Sequence, residues 1–192
     1  MYDQLRNVFH KIVDLNDLEW ESIKNSFSFI EVPNKQLLVS IGQIERRAYF
    51  VLKGVVRLFC LNPKGEEVTV FLFQENFFFS SYESFLTGNP SQQALETLEP
   101  CSLLYIEKED LDRLYHSVPK MQIIARVVAE QRFLNSQKIF SSQIMLTPEQ
   151  RYLEFEKMHG DLLLRIPQHI IASFLGVTPV SLSRIRNRLV KK

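Results

Sequence analysis

Near the carboxyl end of the chain, Val180, Ser183, Arg184 and Asn187 fall on one side of a helical period, opposite Leu182, Ile185 and Leu189. An outward-facing arginine can donate two parallel hydrogen bonds to guanine, and an asparagine can pair with adenine or a phosphate. Arg186, Arg188, Lys191 and Lys192 stand on the flanks and at the end, where phosphate contact is expected. This is chemistry of recognition rather than of bond making. The sequence has no paired-carboxylate motif, Gly-rich phosphate loop, nucleophile elbow or metal-ligand cluster, so an enzyme is not expected.

Two helices must position that face. In a twenty-residue window from Gln168, apolar residues recur at Ile171, Leu175, Val177, Leu182 and Ile185. Ala172 is small enough for a close crossing, and Gly176 can enter a left-handed turn without steric cost. Thr178 caps the second helix and Pro179 suits its first position, where no amide donor is needed. The arrangement predicts a helix-turn-helix over 167–192. The residues expected to meet DNA are Gln168, Thr178, Val180, Ser181, Ser183, Arg184, Asn187, Arg188 and Lys191.

Charge agrees. No acidic residue follows Asp161, whereas Arg165, Arg184, Arg186, Arg188, Lys191 and Lys192 do; the whole chain is only +1. Basic charge sorted onto one end is the electrostatic mark of a nucleic-acid-binding module. The bland alternative, a basic helical tail, explains neither Gly176 nor the Thr178-Pro179 start.

At 192 residues and 45% hydrophobic content the chain can bury a large domain and a smaller one, and disorder is not expected. No apolar run reaches the ~18 residues of a membrane span. The amino-terminal segment MYDQLRNVFHKIVDL is interrupted by charge and lacks a signal-peptide core, so a cytoplasmic protein is expected. Cys60 and Cys101 each sit in an apolar run and read as small buried side chains. His10, His116, His159 and His169 show no metal spacing, and no cofactor is expected.

After helical segments at Tyr2–Leu15 and Asp17–Asn25, short apolar runs follow one another, separated by Pro33-Asn34, Gly42, Gly54, Asn62 to Gly65, Gly88 to Pro90 and Pro100. Such spacing predicts an antiparallel β-sandwich or roll, with a hairpin at Asn62–Gly65. From Pro119 to Ile144 helical periodicity returns over roughly 38 Å at 1.5 Å per residue. Its stripe, with Ile124, Val127, Gln131 and Leu134, is expected to be a dimer seam; packing on its own domain is the lesser alternative, kept open for the lower half where Gln131, Lys138 and Ser141 are polar. Thr147-Pro148-Glu149-Gln150 opens another helix with a capping box. The expected organisation is a sensor roll over 1–117, a long helix over 118–145 and a helix-turn-helix unit over 146–192.

This order resembles the Crp/Fnr family of bacterial transcription regulators. Gly42 followed by Ala48 to Arg57 is similar to that family's β-roll signature, Asn62 to Glu67 to its strand-connecting hairpin, and Leu175 to Arg186 to its turn and recognition helix. The resemblance covers about residues 10 to 190. It implies an α+β fold: an antiparallel, jelly-roll-like β-roll with flanking helices, a long dimerisation helix and a carboxyl-terminal helix-turn-helix. It also implies a homodimer on a two-fold symmetric DNA operator, with RNA polymerase as a further partner and a signal sensed in the roll. Many relatives add strands after the recognition helix to form a wing. Here Lys192 ends the sequence and a truncated winged helix is expected, with Gly160–Ile166 as a wing strand or a helical turn.

The resemblance fails where cyclic-nucleotide-binding members carry a Gly-Glu pair and an Arg-Ser pair. Those places hold Phe79-Ser80 and Ser91 to Ala94, and no Lys or Arg occurs between Gly65 and Glu107. A buried phosphodiester needs a cation or an array of amide donors. Control by cyclic AMP in the usual way is therefore not expected, unless a cation reaches in from the long helix or the partner subunit. A degenerate pocket of Phe79, Ser80, Ser81, Tyr82, Gln92 and Gln93 could take another small molecule, whose identity stays unknown; an ordinary aromatic core is the equal alternative.

Overall fold

The computed structural model describes residues 1–190, with Val190 described by its backbone alone. Two short helices, α1 (Asp3–His10) and α2 (Asp17–Asn25), lead into the strands β1 (Ser28–Val32), β2 (Leu37–Val39), β3 (Arg47–Lys53), β4 (Val56–Leu61), β5 (Glu67–Phe73) and β6 (Phe78–Phe79). Helix α3 (Tyr82–Thr87) precedes β7 (Ala94–Thr97) and β8 (Cys101–Glu107). Helices α4 (Lys108–Ser117), α5 (Lys120–Met145), α6 (Pro148–His159), α7 (Leu162–Arg165), α8 (Gln168–Phe174) and α9 (Pro179–Val190) complete the described chain.

The strands form two antiparallel four-stranded sheets, ordered β1-β8-β3-β6 and β2-β7-β4-β5. Their inner faces bury Val51, Val56, Leu58, Leu95 and Leu103 to 1% exposure or less. The outer face of the first sheet is covered by α1, α2, α4 and the start of α5, around Phe50 and Leu104. The expected hairpin is present: Asn62 Oδ1 accepts from the backbone N–H groups of Lys64 and Glu66, and Gly65 has φ +79. Gly54 turns β3 into β4 at φ +106, where an added Cβ would stand 2.5 Å from Cys101 Sγ, so only glycine fits. Cys101 is buried, and burial pushes its thiol up to about 11.

Sequence and structure part company along α5. Ile124 and Val128 do not share a face with Ile123 and Val127. Ile124 is 2% exposed and packs in the chain's own core, which corrects its placing on an outward seam. Residues one apart on a helix diverge by about 100°, and the closure of the chain turns the Ile124–Val128 side of α5 toward the roll. Gln131 and Leu134 are exposed and Val127 is half-buried.

Gly160–Ile166 resolves as a helical turn, α7, rather than a strand. The capping box predicted for α6 is present, with Thr147 and Gln150 each accepting the other's backbone N–H. The third core joins Tyr152, Phe155, Leu162, Ile171, Leu175, Leu182 and Ile185 to Val55 and Leu98 of the roll. No described helix is long and apolar enough to cross a membrane.

Candidate functional site

Leu182 and Ile185 are 1% and 3% exposed and lie in one core with Ile171 and Leu175 of α8 and Tyr152 and Phe155 of α6. Burying each such aliphatic side chain contributes about 1.5–3 kcal/mol, so α9 is held in one rotation about its axis. Val180, Ser183, Arg184 and Asn187 are exposed as a consequence. The turn before α9 has the expected geometry. Gly176 adopts φ +66, Val177 N–H reaches Ala172 O at 3.0 Å, and Thr178 Oγ1 accepts from Ser181 N–H at 3.2 Å. Thr178 Oγ1 also donates to Ser181 Oγ at 3.0 Å, so these two residues serve the cap as well as the edge of the face.

Gln168, exposed, opens α8, and Arg188, exposed, faces Glu149 at 3.4 Å. Lys191 and Lys192 lie outside the described residues. The first turn of α9 holds no acidic residue, which leaves the positive end of the helix dipole open to an anion. This surface can hydrogen-bond base edges through Arg184 and Asn187 and phosphates through the helix start and flanking cations. The helix-turn-helix does pack on the roll through α8, yet Arg184 and Arg188 remain outside that contact.

The residues assigned to a small-molecule pocket behave differently. Phe79 is 2% exposed and stacks on Tyr49 at 5.0 Å and Phe73 at 5.3 Å, within the core between the sheets. Ser81 Oγ and Ser91 Oγ lie 2.6 Å apart, and Ser91 Oγ is further shared between the N–H and carbonyl of Gln93. Gln92 is exposed. Ser81, Ser91 and Gln93 are satisfied by one another, whereas Phe79, Ser80 and Tyr82 line one pocket with Arg132.

An acid lies beside this loop. Glu45 is 5% exposed, its N–H donates to Ser84 Oγ at 3.0 Å, and its Oε1 accepts from Arg47 N–H at 2.9 Å. Its Oε2 has no hydrogen-bond partner among the described residues. Burial pushes its pKa up to about 7, against the lowering effect of the backbone N–H groups of Arg47, Ser81 and Arg46. A phosphodiester beside Ser81 would meet the buried Glu45 carboxyl group.

Glu67, Glu75, Glu96, Glu99 and Glu107 are answered by arginines from outside the cation-free interval. Arg57, itself 4% exposed, pairs with Glu67 and Glu96. Arg47 pairs with Glu107 at 2.7 Å, and Arg165 of α7 pairs with Glu75 at 2.6 Å and with Glu99.

Arg132 of α5 reaches in as the sequence allowed for a long-helix cation. Its Nη2 donates to the Ser80 carbonyl at 3.3 Å, and its guanidinium lies 5.2, 5.5 and 5.4 Å from the ring centres of Phe71, Phe73 and Tyr82. No carboxylate pairs with it among the described residues. Burial lowers its pKa to about 10, with Tyr82 opposing. Arg132 was not singled out from sequence, although it continues the inward row Ile124–Val128 by one more helical step.

Residues 29–117 match the family of cyclic nucleotide-binding domains. The global nitrogen regulator of Nostoc sp. is 26% identical over 164 residues, covering 79% of this chain and 73% of that protein. FixK2 from Bradyrhizobium japonicum superposes with a TM-score of 0.76 at 14% identity, over 86% of this chain and 85% of that one. The chain has the Crp/Fnr fold. A Eubacterium rectale protein assigned to the Crp/Fnr family of transcriptional regulators shares this fold with a TM-score of 0.72 at 17% identity, over 93% of this chain and 85% of that one. Within the Crp/Fnr fold, the observed roll, long helix and helical carboxyl-terminal unit occur in the order expected from sequence.

Proposed function

We propose that the protein is a sequence-specific, DNA-binding transcriptional regulator that acts as a cytoplasmic homodimer and has no enzymatic activity. The observation that carries this reading is the exposed face of α9, with Arg184 and Asn187 opposite a buried stripe and no acid in the first turn. Two such helices related by a two-fold axis would enter successive major grooves about 34 Å apart. Dimerisation is supported by apolar side chains left open along α5: Ile123, Phe133, Leu134, Phe140 and Ile144 are 41–69% exposed. Val127 and Gln131 stay in the proposed seam; Ile124 does not. RNA polymerase is a further partner for such a dimer.

Cyclic AMP does not control this regulator in the usual way. The mutual bonding of Ser81 and Ser91 and the buried Glu45 support that exclusion, and Arg132, the long-helix cation beside Ser80, opposes it. A second reading, a regulator answering to another small molecule, is favoured by Arg132.

Duplexes selected from a random library, then titrated by fluorescence anisotropy at several salt concentrations, test the main reading. The expected result is a palindromic site, bound far more tightly than random sequence, with affinity falling steeply as salt rises. No duplex binding in dilute buffer would overturn it.

A further inference from the structure

Burying a guanidinium is costly unless a counter-charge or hydrogen bonds replace its water. Arg57 meets that cost with two carboxylates and Arg165 with three. Arg132 has one long bond to a carbonyl and three aromatic rings. No carboxylate among the described residues matches its charge.

Arg132 also stands on the wall of a cavity of ≈ 970 Å³. That volume is at the upper end of small-molecule sites. Phe71 and Phe73 of the roll, Val128 of α5, and Phe155 and Phe174 of the carboxyl-terminal unit share the wall. Gln74 Oε1 and His159 Nδ1, on residues of the same wall, are buried without a hydrogen-bond partner among the described residues. Buried polar atoms of this kind take a partner from protein or from ordered water, and here they give the wall a polar stretch beside the rings.

We propose that Arg132 and this cavity bind an organic monocarboxylate with an apolar or aromatic body. The planar fork of the guanidinium matches a carboxylate through two parallel bonds. Lys138, Arg151, Lys157 and Glu154 also line the cavity, but among the described residues Arg132 is the cation set against the rings of Phe71, Phe73 and Tyr82, and there one cation balances one negative charge. The aromatic and aliphatic wall takes the rest of the molecule. Because the wall is drawn from both the roll and α6–α8, a bound carboxylate ties the sensor to the DNA-binding unit. This names the ligand class for the regulator proposed above, and it rests on that reading only for its regulatory consequence.

Isothermal titration calorimetry on the full chain tests it, with decanoate and naphthalene-1-acetate as probes and decan-1-ol as the uncharged counterpart. Inorganic phosphate and cyclic AMP are the competing anions. Both carboxylates are expected to bind. Arg132→Gln is expected to weaken them about tenfold or more while leaving decan-1-ol unchanged, the loss expected for a charge-assisted pair. Arg132→Lys, which keeps the charge without the fork, should fall between, and it carries the comparison if the glutamine variant does not fold. Arg126→Gln, an exposed arginine on the same helix that pairs with Glu130, should bind as the parent does.

The proposal is overturned if neither carboxylate binds at millimolar concentration, if both bind the parent and Arg132→Gln chains equally, or if phosphate or cyclic AMP is preferred. DNA affinity is measured separately. A chain that binds carboxylates but ignores duplex DNA would sink the regulator reading and leave this one standing.

Discussion

Ser173 Oγ accepts the backbone N–H of Thr69 at 2.9 Å and donates to the carbonyl of Glu67 at 3.2 Å. Ser173 lies on α8, the first helix of the helix-turn-helix, and Thr69 lies on β5, the edge strand of its sheet. An edge strand presents unpaired backbone groups that invite aggregation, and a covering helix removes the hazard. The contact also makes the carboxyl-terminal unit part of the roll's own surface.

Arg165 is the electrostatic half of that contact. Its variant Arg165→Gln should lower the stability of the folded chain by about 1–3 kcal/mol, because Glu75 and Glu99 lose their shared cation. Burial raises the Glu75 pKa, but the Arg165 hydrogen bonds and the Gly54 N–H outweigh it and hold the carboxyl below its ordinary value. The folded pKa is depressed, so this stabilisation is present above the unfolded carboxylate value and disappears as pH falls through the folded one, in the region below about pH 4. Urea melts between pH 3 and 7 check both points; identical profiles for parent and variant would refute the role.

Glu45 has the opposite sign. Its folded pKa is raised to about 7, so the native state holds a proton that the unfolded chain has released. Its neutral form stabilises fully below about pH 4.5, and the benefit declines as pH rises to about 7, by on the order of 3 kcal/mol. Glu45→Gln keeps the acceptor for Arg47 N–H and carries no charge. Its melting temperature at pH 8 is expected to exceed that of the parent, with a smaller loss between pH 5 and 8.

Leu134 and Phe140 are 53% and 64% exposed along α5. Leu134→Asp should place a charge in the proposed seam and shift the dimer toward monomer. Analytical ultracentrifugation at micromolar concentration reads this directly. An unchanged sedimentation coefficient would place the dimer contact elsewhere. Ile124→Asp is expected to unfold the roll instead, since its side chain is 2% exposed inside it.

Arg184→Ala should relax base preference by roughly 1–3 kcal/mol at one position per half-site. Arg188→Ala should weaken selected and random duplexes alike and reduce the salt slope. Anisotropy titrations on both kinds of duplex separate the two. Equal loss on both duplexes in the Arg184 variant would remove its base-reading role.

Much of this was legible along the chain, because local rules dominate there. Gly176, the Thr178-Pro179 start and the spacing of Leu182 and Ile185 specify a turn and a helical face through backbone sterics and a 3.6-residue period. The Asn62–Gly65 hairpin and the Thr147 capping box follow from groups within four residues of one another. The missing cation between Gly65 and Glu107 was equally visible, since it is a matter of composition.

Other features depend on residues far apart in sequence. Arg165 finds Glu75 and Glu99 across 90 and 66 positions, Arg132 finds Ser80 across 52, and Ser173 finds Thr69 across 104. Ile124 and Val127 look equivalent in a periodic stripe, yet one is sealed against the roll and the other is half-buried. Periodicity marks which side chains are apolar; what each one packs against depends on how the chain closes on itself, and that closure places Arg132 among aromatic rings without a carboxylate to meet it.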